Sequence, residues 1–160
     1  MSIPSRLSDY LDQRGARYDV YLHEHSRCSP ETARTAHIPP PQLAKSVVVE
    51  DDDGIRVVAV LPGDRSLMLG PLSRLLGRPH LRLADERSIA ALFDDCDVGA
   101  VPAFGMAWNL ETVVDDELAG CDAVYVEAGD HERLLRLSQQ QFGELMRDAQ
   151  HGHFSGQRLQ

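Results

Sequence analysis

Leu43-Ala44-Lys45-Ser46-Val47-Val48-Val49, then Asp51-Asp52-Asp53-Gly54, then Ile55-Arg56-Val57-Val58-Ala59-Val60-Leu61: the reading of this stretch decides the fold. Two β-rich runs flank an acidic turn that ends in glycine. That is the pattern of an antiparallel hairpin with a buried face. Period-two alternation puts Lys45 on the face that carries Val47 and Val49.

Working outward from the hairpin, Leu7, Tyr10 and Leu11 recur at helical spacing ahead of Gly15, which predicts a helix over 4–14. Tyr18 to Leu22 alternates and predicts a strand. Ser29-Pro30-Glu31-Thr32 predicts a helix start with Ser29 as its cap, running to a stop at Pro39-Pro40-Pro41. After the hairpin, Leu67 to Leu69 reads as a short strand, Pro71 to Leu76 as a helix stopped by Gly77, and Asp85 to Phe93 as a helix capped by Asp85. In that last helix Ile89, Leu92 and Phe93 are expected to face inward. Thr112 to Val114, Ala123 to Glu127 and Leu134 to Leu137 predict strands, and Ser138 caps a final helix to about Arg147. The residues from His151 to Gln160 have no periodicity and are expected to be a mobile tail.

Strands and helices intermix without a βαβ rhythm. The expected fold is therefore α+β, a mixed or antiparallel curved sheet with peripheral helices. No repeat or linker interrupts the chain, so residues 1–150 are expected to be one domain, with 151–160 as the tail. The chain has 160 residues, enough to bury a core without staples.

Composition excludes several classes. The net charge of −9 argues against a protein that grips long DNA by its backbone, although it permits brief contact with one nucleic-acid end. No apolar run is long enough for a membrane helix, and Met1 to Arg6 lacks the apolar core of a signal peptide, so a cytoplasmic protein is expected. Cys28, Cys96 and Cys121 form no CxxC pair and fit reduced thiols.

Four features are candidates for chemistry. Lys45 is the single lysine beside fifteen arginines. It is either a solvated strand end or a point charge that holds an anion such as phosphate. Gly99-Ala100-Val101-Pro102-Ala103-Phe104-Gly105 is either a plain turn or a loop that aims backbone groups at an acyl carbon. His23, His25, Cys28 and His37 match no standard zinc spacing and read as surface residues, so no metal is expected. Gly129-Asp130-His131 reads first as a turn, and second as a pocket wall in which His131 orients a ligand or acts as a base. No Gly-x-Ser-x-Gly, P-loop or GxGxxG is present.

In this order, three of these segments resemble the YbaK/EbsC family, which includes the editing domain of bacterial prolyl-tRNA synthetases. They are Leu43 to Val49, Val58-Ala59-Val60-Leu61-Pro62-Gly63-Asp64 and Gly99 to Gly105. Val114-Asp115-Asp116-Glu117-Leu118 and Val124-Tyr125-Val126-Glu127-Ala128-Gly129 extend the likeness to roughly residues 5–147. The resemblance implies a curved, partly barrel-like mixed sheet. It implies a trans-acting aminoacyl-tRNA deacylase that hydrolyses the ester of a misacylated tRNA, with a non-catalytic ligand- or synthetase-binding module of the same fold as the alternative. Lys45 would hold the acceptor-end phosphate or ribose. Gly99 and Pro102 would shape the loop that positions carbonyl and water, with Ala100, Val101, Phe104, Gly129, Asp130 and His131 around the substrate. The family needs no cofactor, metal or side-chain nucleophile, the tRNA's own hydroxyl or the substrate assisting. Its partners would be a tRNA acceptor end, held transiently, and a synthetase. Where many relatives carry lysines after the loop, this chain has Met106-Ala107-Trp108-Asn109, which leaves Trp108 either stacking on a base or packing as a core or rim aromatic.

Overall fold

The structure is a computed structural model that describes residues 3–26 and 28–157. Its centre is the expected hairpin, β2 (Leu43–Glu50) and β3 (Arg56–Pro62), paired antiparallel from Ala44–Pro62 to Glu50–Arg56 without a bulge. Asp51 closes the turn. Its Oδ1 accepts from the N–H of Asp53 and of Ile55, both at 2.9 Å, while Gly54 takes a left-handed φ of 78°.

Around the hairpin run β1 (Asp19–Leu22), β6 (Glu111–Asp115), β7 (Ala123–Glu127), β8 (Arg133–Ser138) and β9 (Gln150–Gly152), in the order β1-β8-β7-β2-β3-β6-β9. The short β5 (Arg82–Leu83) also pairs with β2. β2–β7, β3–β6 and β6–β9 are parallel and the other pairs antiparallel, so the sheet is mixed. The helices α1 (Ser5–Gln13), α2 (Ser29–Thr35), α3 (Leu69–Leu76), α4 (Glu86–Leu92) and α5 (Gln139–Leu145) lie around it. The architecture is α+β, as the sequence predicts.

Both faces of the hairpin are covered, which is why its strands read as nearly unbroken apolar runs rather than as clean alternation. Ala44, Val48, Val58 and Val60 face the main core, together with Leu7 and Leu11 of α1 and Phe142 of α5. The opposite face carries two smaller clusters. Val49, Val57, Ala59 and Leu61 pack with Leu72 of α3 and Phe154, while Leu43 packs with Tyr125, Leu134 and Ala33 of α2. The sequence-predicted caps hold at Asp85, whose carboxylate accepts from Ser88 N–H, and at Ser138, whose hydroxyl accepts from Gln141 N–H. Phe93 is buried, and Ile89 and Leu92 pack partly against the core.

Three expectations are corrected, and one expected strand is found at an exposed edge. Ser29 is the first residue of α2 and not its cap; Cys28 holds that position and makes no side-chain cap bond. The short strand after the hairpin is β4 (Arg65–Leu67), and Leu69 already begins α3. β1 is a strand, but all four residues are exposed because it is the sheet's edge. The tail is structured: β9 extends the sheet along β6, and β10 (Ser155–Gln157) pairs with β4. Between them Phe154 is fully buried, and its N–H donates to Asp115 Oδ2 at 2.9 Å. One aromatic and one buried hydrogen bond anchor the segment, which is too short to show a period. Residues 158–160 of the expected tail lie outside the described residues.

Candidate functional site

β2 changes neighbours partway along. On one edge it pairs with β7 only at Leu43–Tyr125 and Ala44–Val126. It then meets β5 at Val49 and Glu50, with Ala84 N–H donating to Val48 O at 2.9 Å. Lys45, Ser46 and Val47 lie between, with no strand beside them on that edge among the described residues. Alternate residues of a strand present their amide groups to alternate edges. Since Val48 O points to this edge, so do the N–H and C=O of Ser46. A sheet that parts where a strand changes partners leaves a crevice with polar backbone at its floor, a preferred place for ligands. A cavity of about 200 Å³ lies here, lined by Ser46, Val48, Ala84, Ile89, Val98 and Val101. The Ser46 hydroxyl is buried and makes no hydrogen bond.

Lys45 keeps the face that alternation gives it. It lies half-buried between the Leu43 cluster and the Val47 cluster, and its ammonium donates to Arg65 O. The loop approaches the same stretch of β2 from the other face, where Val101 packs in the main core with Val48. Lys45 and the loop therefore flank the opening from opposite sides.

Within the loop, Val98–Ala100 forms a single 3-10 turn, with Ala100 N–H donating to Asp97 O at 2.9 Å. Gly99 is exposed at its centre, while Ala100, Val101 and Pro102 are buried. Phe104 does not face a ligand. It is fully buried, 6.0 Å from the Tyr10 ring and 6.1 Å from the Phe142 ring, and so is a core residue, contrary to expectation. Trp108 is also packed inside, against Phe93 at 5.0 Å, with its indole N–H donating to Asp95 Oδ1 at 3.1 Å, which removes it as a platform for a base.

The turn Gly129-Asp130-His131 is drawn to the loop by one bond, Asp97 N–H to Gly129 O at 2.7 Å. Gly129 has φ 101°, and a Cβ there would meet Pro4 at 3.1 Å and Cys96 Sγ at 3.3 Å, so glycine is required on two counts. Asp130 builds the turn rather than the pocket. Its Oδ1 accepts from the N–H of Glu132 and of Arg133, and its Oδ2 pairs with the Arg133 guanidinium. His131 has a left-handed φ of 59°, its ring lies 5.8 Å from that of His25, and its buried Nδ1 is unpartnered. Burial holds its pKa below the usual value, which favours the neutral ring.

The sequence reading missed Glu127. It ends β7, one residue beyond the last β2–β7 rung, on the face of Tyr125 and Leu43. It is 3% exposed, and neither carboxyl oxygen has a hydrogen-bond partner. Burial pushes its pKa up to about 8, opposed in part by the Thr32 hydroxyl. The available signal was an acidic residue closing the otherwise apolar run Ala123-Val124-Tyr125-Val126.

No thiol is poised as a nucleophile. Burial and the neighbouring Asp95 push Cys96 far up, burial raises Cys121, and Cys28 is exposed at the start of α2, away from the opening. Among the described residues no three His, Cys, Asp or Glu side chains are grouped to hold a metal ion. A larger hollow, about 660 Å³, lies on another side between α1 and α5, lined in part by Arg14, Gln141, Glu144 and Arg147. It contains none of the candidate residues. No described helix is long and apolar enough to cross a membrane.

The structure is similar to the crystal structure of the hypothetical protein APE2540, at 25% identity and a TM-score of 0.83, over 95% of this chain and all of that one. It is also similar to the crystal structure of a "putative trans-editing enzyme for prolyl tRNA synthetase", at 25% identity and a TM-score of 0.81, over 97% of this chain and 99% of that one. No curated protein matches the sequence significantly. The profile of the aminoacyl-tRNA editing domain matches residues 23–145, from the strap of chain before α2 to the end of α5, and so takes in the parted sheet, Lys45, the loop and the turn. The chain belongs to the aminoacyl-tRNA editing domain family.

Proposed function

We propose that this protein is a trans-acting deacylase that hydrolyses the ester of a misacylated tRNA. The observation that carries the reading is the opening in the sheet at Lys45–Val47, flanked by a cation on one side and a backbone-rich loop on the other. The Lys45 ammonium, which donates to Arg65 O, would hold an acceptor-end phosphate as a point charge. The ester would lie along the exposed edge of Ser46. Backbone N–H groups of the loop around Gly99 would meet the carbonyl oxygen as it gains charge. Water, rather than a side chain, is the nucleophile in this scheme, because no thiol or serine is paired with a base at the opening. The small, largely apolar cavity beside Ser46 would take the amino-acid side chain and favour small ones.

The net charge of −9 favours a second reading, a module of the same fold that binds an aminoacyl ligand or a synthetase without turnover. Single-turnover hydrolysis across a panel of misacylated tRNAs separates the two. Deacylation of a small-amino-acid ester that is lost in Lys45→Ala supports the enzyme. Binding without hydrolysis of any ester supports the module.

A further inference from the structure

Glu127 is the least satisfied group in the described structure: neither of its two buried carboxyl oxygens has a partner in good hydrogen-bond geometry, although the Thr32 hydroxyl is near enough to act on it. A buried carboxyl without partners costs folding free energy, and such groups persist where a ligand completes them. Its position is specific. β7 leaves β2 at Val126–Ala44, so Glu127 stands at the rim of the opening, in the register position next to Lys45.

We infer that Glu127 is the acceptor for a primary ammonium group, the α-amine of an aminoacyl ligand held at the opening. This rests on the aminoacyl-ligand reading above. The surrounding charge suits a cation: Asp130 lies close enough to act on Glu127 electrostatically, and Asp97 stands beside the same turn. A metal ion is a poorer occupant, since no third ligand is grouped there among the described residues. The site then orders the ligand by charge, with phosphate toward Lys45 and ammonium toward Glu127. The strap His23–Ser26 is tied to the turn beside Glu127 by His23 N–H to Glu132 O at 2.9 Å and Ser26 N–H to His131 O at 3.2 Å. Thr32 of α2, whose hydroxyl is bonded to Ser26 Oγ, lies close enough to act on the Glu127 carboxyl. On binding, the carboxylic acid gives its proton to the buffer and the carboxylate pairs with the incoming ammonium.

The test uses non-hydrolysable probes, 3′-(alanylamino)-3′-deoxyadenosine and its N-acetyl derivative, titrated calorimetrically into the whole protein at pH 7 in buffers of different ionisation enthalpy. The free amine is expected to bind roughly tenfold or more tighter than the N-acetyl form, since a hydrogen bond to a charged group is worth about that factor. Its binding should release close to one proton. Glu127→Gln, which keeps the shape, should erase both the preference and the proton release while leaving the N-acetyl affinity unchanged. Equal affinity of the two probes for the parent protein overturns this inference and leaves the aminoacyl reading standing. So does a preference that survives in Glu127→Gln, or an equal loss for both probes in that variant. Failure of either probe to bind, together with no hydrolysis in the tRNA panel, overturns both.

Discussion

The backbone N–H of Asp97 donates to the carbonyl oxygen of Gly129 at 2.7 Å. That bond joins the segment leading into Gly99 to the turn that carries His131, two stretches that the sequence separates by some thirty residues. The opening in the sheet is therefore bordered by elements fixed to one another, as a site that positions an ester requires.

Removing the ammonium should separate function from folding. Lys45→Ala removes the hydrogen bond to Arg65 O, and a bond of that kind is worth about 1 kcal/mol of stability. Single-turnover deacylation should fall to a small residue of the parent rate, and Lys45→Arg should restore only part of it because the planar fork places charge differently. Parent-like rates in the alanine variant sink the assignment.

Gly99 sits exposed in the middle of its 3-10 turn. Gly99→Val would put a branched side chain where the proposed scheme brings the acyl group. The expected loss is ~3 kcal/mol in the chemical step, or ~100-fold, with a smaller change in affinity. Ala100→Ser is expected to act on the fold instead. Ala100 is fully enclosed, so a hydroxyl there is expected to cost about 1–3 kcal/mol of stability, visible as a lower Tm.

Glu127 gives stability a pH signature. Its pKa is raised from 4.5 to about 8 in the folded protein, so the folded state binds more protons than the unfolded one between those values. Stability from this group falls as pH rises through the window, by up to about 1.4 kcal/mol per unit. Glu127→Gln should remove the decline, so that its advantage over the parent grows from pH 5 to pH 8 in denaturant melts. Parallel curves would mean that Glu127 is not buried as a neutral acid.

Phe154→Ala tests whether the C-terminal segment is part of the core. Phe154 is fully buried with Leu72, Val113 and Leu61. Truncation should cost about 3–5 kcal/mol. A change below 1 kcal/mol in chemical denaturation would return the segment to the status of a tail.

Much of the fold is legible because the hairpin announces itself: two β-branched runs and an Asp-Gly turn leave little choice. The caps at Asp85 and Ser138 are legible for the same local reason. What the sequence hides is pairing at a distance. Nothing in His151 to Gln157 says that Phe154 fills a hole over Leu72, because a three-residue strand shows no period. For the site, Lys45 stands out by alternation and singularity. Phe104 reads as part of the loop yet belongs to the core, since a loop motif carries no information about which of its residues turn inward. Glu127 escapes notice because its meaning depends on burial, which only packing reveals.

Arg65 links Lys45 to the far end of the chain. Its carbonyl takes the lysine ammonium, while its guanidinium bonds the Ser155 hydroxyl at 2.8 Å and the Ser155 carbonyl at 2.9 Å, across 90 positions of sequence. On a ribosome, where the chain emerges from its N-terminus, the hairpin and Lys45 are outside long before Ser155 is made. The group that holds Arg65 is thus made well after Arg65 itself, and a nascent chain carries the cation and its acceptor before it carries the brace on that acceptor.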